Sequence, residues 1–230
     1  MSYSHNQSLF INNEKLYNHQ ISLLKMINLI EKYYKQNKYY NLEICFLIDL
    51  SGSMRPYLSY IRHNISILIE QFQNKTKNKT LFCCLGYREN KNINSNHQLL
   101  YLKWTNKLNY LLEFLKDENA FGGGDLQEDI IYPLNEIKKF TKWNKSISNF
   151  KLIIHLTDSK PKYNNQLKDI IQSILNYNLI YFLIPLKYDA LHIAKENKNI
   201  IIINSNNFKP IKKSKKKVSF SKINIVHYLK

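Results

Sequence analysis

Three short polar segments of this 230-residue chain bring together side chains that could hold a hard cation. Asp49-Leu50-Ser51-Gly52-Ser53 follows an apolar run, Gly122-Gly123-Gly124-Asp125-Leu126-Gln127-Glu128 breaks the middle of the chain, and Leu156-Thr157-Asp158 closes a later apolar run. Carboxylates and hydroxyls with no Cys or His among them form an oxygen set that suits Mg²⁺ or Ca²⁺ better than zinc. In Asp-x-Ser-x-Ser the alternate residues turn several oxygens toward one point, and Gly52 leaves the turn clear of a side chain. Ser and Asp clusters also cap helices, which is the purely structural alternative. Other chemistries fit poorly. Ser51 has no nearby His base and no Gly-x-Ser-x-Gly elbow, which argues against nucleophilic hydrolysis. Gly122 to Gly124 lacks the Lys-Ser/Thr that completes a phosphate-binding loop. His63, His97 and His192 have no companion at metal spacing, and His155 reads as a strand residue.

The elements that must position these residues alternate along the chain. Leu16, Leu23, Ile27, Ile30 and Tyr34 recur at helical spacing and predict a helix from Asn13 to about Lys35. Leu42 to Asp49 is a nearly continuous apolar run, suited to a strand buried on both faces. Leu58, Ile61, Ile65, Leu68 and Phe72 mark a second amphipathic helix. Strands follow at Thr80–Tyr87 and, nearer a sheet edge, at Gln98–Trp104; a helix is expected over Leu108–Leu115. Past the glycines a helix runs through Ile130, Leu134 and Ile137, where Pro133 would cost about 3 kcal/mol in a helix interior unless the helix kinks or starts later. Lys151–Asp158, Leu179–Leu186 and Asn199–Asn204 complete the strands, with helices at Leu167–Leu175 and around Leu191. This alternation predicts an α/β fold: a doubly wound, mostly parallel sheet with helices on both faces. In such sheets ligands bind outside the carboxyl ends of the strands, where the three polar segments fall.

Asp-Leu-Ser-Gly-Ser after an apolar strand resembles the metal-ion-dependent adhesion site of von Willebrand factor A domains, over roughly residues 42–204. Gly86-Tyr87-Arg88-Glu89, Gly122 to Asp129, and Ile154-His155-Leu156-Thr157-Asp158 are similar to the subtype found beside alpha-kinase domains, although no kinase sequence accompanies them here. The resemblance implies that Ser51 and Ser53 are direct hydroxyl ligands. Asp49 and Asp158 would hold the metal directly or through water. The middle ligand is Asp125, which falls where many members have Thr, or Glu128, which matches the acidic ligand of an Asp-x-Pro-Glu variant. Gln127 replaces the proline of that variant. The implied cofactor is Mg²⁺ or Mn²⁺, and the implied partner is a protein that presents a carboxylate to the open metal position. The implied role is binding rather than catalysis.

The last 22 residues, Lys209 to Lys230, carry eight lysines and no acid. Lys212 to Lys217 would serve as a nuclear import signal or a solvated charge run. Val218 and Phe220 are two apart, and Ile223 and Ile225 alternate before Val226, a pattern suited to a strand added to another protein's sheet edge. Lys217-Val218-Ser219-Phe220, with Val226-His227-Tyr228-Leu229 downstream, resembles the docking core of the stress-inducible protein phosphatase 1 regulators. Those regulators direct dephosphorylation of the alpha subunit of translation initiation factor 2. The resemblance implies that Lys217, Val218 and Phe220, and then Val226 and His227, contact the phosphatase catalytic subunit. The downstream arginine and actin-contacting segment of that family have no counterpart.

The expected organisation is a helical extension over 1–40, an A-type domain over 41–208 and a basic tail over 209–230. The leading functional reading is a non-catalytic regulatory subunit that binds the phosphatase through its tail and a target through its metal site. The alternative is an adhesion-type interaction module with an incidental basic or nuclear-import tail. Composition constrains the rest. Hydrophobic residues at 44% and aromatics at 13% suffice for a core, and 5 Gly with 5 Pro exclude collagen-like sequence. The net charge of +17 comes from lysine, with only Arg55, Arg62 and Arg88 as arginines. Charge alone is a weak argument for nucleic acid without an arginine-rich face. Cys45, Cys83 and Cys84 lie in apolar runs and read as reduced core residues of a cytoplasmic protein, with a nuclear location also open. No signal peptide or membrane span is expected.

Overall fold

The computed structural model describes residues 27–28, 30–32, 41–75, 80–89, 97–116, 119–122, 127–141, 143, 149–162, 166–176, 179–186, 190, 192–195 and 200–202. Eight strands are present among them: β1 (Asn41–Asp49), β2 (Thr80–Glu89), β3 (His97–Thr105), β4 (Gln127–Glu128), β5 (Asn149–Thr157), β6 (Lys160–Pro161), β7 (Ile180–Pro185) and β8 (Ile200–Ile202). The helices are α1 (Arg55–Lys75), α2 (Leu108–Phe114), α3 (Ile131–Thr141), α4 (Leu167–Leu175) and α5 (His192–Lys195).

Six strands form one sheet in the order β3-β2-β1-β5-β7-β8. All neighbours run parallel except β3, which returns antiparallel to β2 at the edge. Two-sided burial explains the apolar runs. Along β1, Ile44, Phe46 and Ile48 pack with Leu58, Leu68 and Phe72 of α1 and Leu111 of α2 on one face. Cys45 and Leu47 pack on the other face with Leu134 and Ile137 of α3, Ile171 and Ile174 of α4, and Ile193 of α5. Each fully buried aliphatic side chain stabilises the fold by roughly 1.5–3 kcal/mol, so the central strands hold the frame. The doubly wound architecture is the one expected from the sequence.

Three details refine the expectation. Residues 27–28 and 30–32 are helical with Ile27 and Ile30 buried in the α1 side of the core; the rest of the expected N-terminal helix lies outside the described residues. The Gly-rich segment leads first into β4, which pairs with β6, and only then into a helix. That helix begins at Ile131, so Pro133 falls in its first turn, where no intrahelical donor is lost. Asp129 supports the start, its Oδ1 accepting from the Ile131 N–H at 2.8 Å. Cys45, Cys83 and Cys84 are buried and unpaired. Among the described residues no helix is long and apolar enough to cross a membrane.

Candidate metal centre

From β1 the chain moves outward to β2 and β3, then returns to place β5 on the other flank of β1. The carboxyl ends of β1 and β5 are therefore the switch point of the sheet, where a crevice opens between diverging connections. Ile48 pairs with Leu156, so Asp49 ends one strand beside Thr157 and Asp158 at the end of the next. Sequence positions more than a hundred apart meet there.

The geometry is a hydrogen-bonded cluster of oxygens. Ser51 Oγ lies 3.0 Å from Ser53 Oγ. Ser53 Oγ donates to Asp158 Oδ1 at 2.9 Å, and Ser159 Oγ donates to the same oxygen at 3.1 Å. Asp49 sits beneath them: its Oδ1 accepts from the Ser51 N–H at 2.9 Å and its Oδ2 from Thr157 Oγ1 at 2.8 Å. Asp49, Ser51, Thr157 and Asp158 are all buried, while Ser53 is exposed and marks the open side. Burial pushes the Asp49 carboxyl up to about 6, and the nearby Asp158 charge adds to that rise. Hydrogen bonds from Ser51 and Thr157 pull in the opposite direction but do not cancel it.

The oxygens are hydrogen-bonded to one another at ordinary separations, and the same separations would let them share a small cation. In octahedral Mg²⁺ coordination, with bonds of about 2.1 Å, neighbouring ligand oxygens are about 3 Å apart. The Ser51–Ser53 and Ser53–Asp158 separations of 3.0 and 2.9 Å have that value. Ser51, Ser53 and Asp158 supply adjacent oxygens, and Asp49 adds charge while orienting the Ser51 backbone. Among the described residues no three Asp, Glu, His or Cys side chains form a metal-binding group, so the described cluster is two carboxylates and hydroxyls. Asp125 lies outside the described residues. The backbone of Glu128 lies in β4, whose pairing with Pro161 ties the Gly-rich segment three residues beyond Asp158.

Backbone contacts brace the first loop. Leu50 N–H donates to the Tyr87 carbonyl at 2.7 Å, the Phe121 N–H donates to the Leu50 carbonyl at 3.2 Å, and the Gly52 N–H donates to the Gly122 carbonyl at 3.0 Å. Gly122 has φ of 75°, a left-handed conformation that glycine adopts without a Cβ penalty. A Cβ on Gly52 would stand 3.0 Å from the Gly122 carbonyl oxygen, so glycine permits the close approach of the two loops.

His155 is not part of the cluster. It lies one layer down on β5, buried between Tyr87 on β2 and Tyr181 on β7, with each hydroxyl 2.7 Å from a ring nitrogen. Burial drives its pKa down to about 3, so it is neutral, with one tyrosine donating to it and the other accepting from it. The expectation of a strand residue holds. Its tyrosine partners depend on strand register and have no signal in the local sequence.

No family model matches the sequence, and no curated protein is significantly similar to it. Solved structures are informative. The VWA domain of SpRpn10 matches with a TM-score of 0.53 at 11% identity, covering 70% of this chain and 86% of that domain. Proximal thread matrix protein 1 from the mussel byssus matches with a TM-score of 0.52 at 15% identity, covering 73% of this chain and 44% of that one. The chain has a von Willebrand factor A fold. In this A-type fold the oxygen cluster stands at the carboxyl edge of the parallel strands, formed by the Asp49–Ser53 loop and the end of β5.

Proposed function

We propose that this chain is a non-catalytic interaction protein whose A-type domain binds Mg²⁺ or Mn²⁺ and, through the metal, a carboxylate of a partner protein. The observation that carries the reading is the contiguous Ser51–Ser53–Asp158 oxygen array, with spacings of 3.0 and 2.9 Å, at the switch point of the sheet. Asp49 orients the array from below, and Asp125 or Glu128 supplies the remaining acidic ligand. A cation held this way keeps an open coordination position, which a carboxylate oxygen from outside can fill as a direct ligand. The resemblance of the Gly86–Glu89, Gly122–Asp129 and Ile154–Asp158 segments supports an A domain of the alpha-kinase-associated subtype.

The tail completes the proposal. Its 209–230 segment lies outside the described residues, and its role rests on sequence resemblance. Val218 and Phe220 dock protein phosphatase 1, with Val226 and His227 as a second contact, and the A domain selects the target brought to the enzyme. The phosphorylated alpha subunit of translation initiation factor 2 is the target class that the tail resemblance suggests. The metal half is tested by titrating the chain with Mn²⁺ and following the free-ion electron paramagnetic resonance signal. One Mn²⁺ should disappear per chain and Mg²⁺ should release it. Retention of all the free signal would reject metal binding. The tail is tested separately by pulldown of the phosphatase catalytic subunit, which Val218→Ala with Phe220→Ala should abolish.

A further inference from the structure

Phe121 is an exposed aromatic held at the rim of the metal centre. Of the large apolar side chains exposed among the described residues (Leu81, Tyr110, Phe121 and Tyr132), it is the one bonded through its backbone to the Asp49–Ser53 loop. Its N–H reaches the Leu50 carbonyl, and the next residue, Gly122, accepts from Gly52. These two backbone hydrogen bonds tie the 121–122 segment directly to the loop that carries Ser51 and Ser53. The side chain is 48% exposed, yet it is held in place. The Arg88 guanidinium lies over one ring face, 3.3 Å from the centroid, and donates from Nη1 to the Asn119 carbonyl just upstream. Arg88 itself is buried at the end of β2. An exposed phenyl ring stacked on a buried cation is a preorganised platform, because little side-chain freedom is left to lose on binding.

The chemistry of the rim selects what the platform takes. The inner ring face already carries a cation, which weakens the outer face for a second one. Arg55, exposed directly after the Gly52–Met54 turn, and Lys160, two residues past Asp158, lie beside the array in sequence and offset part of the charge of Asp49 and Asp158. With the cation bound, its open position takes a carboxylate, and the ring already covered by Arg88 disfavours a second cation. One residue of extended peptide spans about 3.3–3.6 Å, so the residues flanking a metal-bound carboxylate are the ones placed to meet the neighbouring 121–122 segment.

We infer that Phe121 is the second half of a two-point recognition surface, whose partner is an acidic peptide segment with a large aliphatic side chain next to its carboxylate. The inference rests on the metal-dependent reading above. The carboxylate would meet the cation, and the aliphatic group would cover the open face of Phe121.

The test uses the full-length chain and fluorescently labelled peptides, Gly-Gly-Asp-Leu-Gly-Gly and its counterparts with Gly or Lys in place of Leu, titrated by anisotropy with Mg²⁺ and again with EDTA. The Leu peptide should bind about tenfold more tightly than the Gly peptide, equivalent to 1.4 kcal/mol, and the Lys peptide should bind most weakly. Phe121→Ala should bring the Leu peptide down to the Gly peptide without changing the latter. Thermal melts confirm that this surface substitution leaves the fold intact, and Phe121→Leu should retain part of the preference. Mg²⁺-dependent binding with equal Leu and Gly affinities, or a Leu preference that survives in Phe121→Ala, would overturn the inference and leave the metal reading standing. Binding indifferent to EDTA would overturn the metal reading itself. Dimerisation of the chain that is lost in Phe121→Ala would assign the ring to a second copy and overturn the peptide assignment.

Discussion

Substituting His155 should remove a specific part of the acid sensitivity of this protein. His155 is enclosed by Tyr87 and Tyr181 and held neutral in the folded state, with a pKa near 3 against 6.5 when exposed. Below pH 6.5 the unfolded chain binds a proton that the folded chain does not, so stability falls as pH falls. Between pH 7 and 5 the imidazole of the unfolded state becomes almost fully charged while the buried ring stays neutral. With those two values the loss is about 2 kcal/mol over that interval. Asp49, held up near 6, titrates in the opposite sense and offsets part of this loss in wild type. The variant must therefore be compared with wild type at both pH values. His155→Gln keeps one donor and one acceptor for the tyrosines but cannot titrate. It should be about 1–3 kcal/mol less stable at pH 7, the cost of imperfectly paired buried hydroxyls. Urea melts in EDTA at pH 7 and 5 should show that this deficit shrinks by about 2 kcal/mol at pH 5. An unchanged deficit would refute the assignment of a buried neutral imidazole.

Three further outcomes are expected, two at the site and one in the tail. Asp49→Asn, measured in EDTA at pH 8, should be more stable than wild type by up to about 3 kcal/mol, because a carboxyl whose pKa rises from 3.8 to about 6 penalises the folded state once ionised. That gain should vanish below about pH 4; a variant less stable than wild type at pH 8 would contradict it. Gly86→Ala would drive a Cβ into the Leu50 side chain beside Asp49, and Gly52→Ala would crowd the Gly122 carbonyl at 3.0 Å. Each should cost about 1–3 kcal/mol in denaturant melts and weaken Mg²⁺ affinity, with the larger loss of stability at Gly86. Phosphorylating Ser219 in a Lys212–Lys230 peptide should weaken phosphatase binding about tenfold in a direct titration, since the phosphate adds charge between the two anchors Val218 and Phe220.

The fold was legible where two-sided burial leaves a continuous apolar run, as in Leu42–Asp49 and Lys151–Asp158, and where a helix keeps one apolar stripe, as in α1. Asp49, Ser51, Ser53 and Asp158 could be placed together because each ends or follows such a strand. What could not be read depends on pairing between distant segments. A two-residue strand such as β4 has no periodicity, so its ladder with β6 is invisible until the chain folds. The Tyr87–His155–Tyr181 hydrogen bonds require the order and stagger of β2, β5 and β7. Arg88 and Phe121 are 33 positions apart, and their stacking depends on how the long connection after α2 returns to the sheet. Pro133 is the intermediate case: its cost called for either a kink or a later start, and the helix starts late, at Ile131 beside Asp129.

The central claim is a divalent cation held by Ser51, Ser53 and Asp158, and its most direct measurement is the Mg²⁺ dependence of thermal unfolding. A ligand that binds only the folded state stabilises it by about 2.7 kcal/mol at a hundredfold excess over Kd. The wild-type melting temperature should therefore rise continuously as Mg²⁺ is added and return to its starting value with EDTA. Ser51→Ala combined with Asp158→Ala should remain folded, with a melting temperature that does not respond to Mg²⁺. A wild-type protein indifferent to Mg²⁺, or a double variant that responds as the wild type does, would contradict the metal centre.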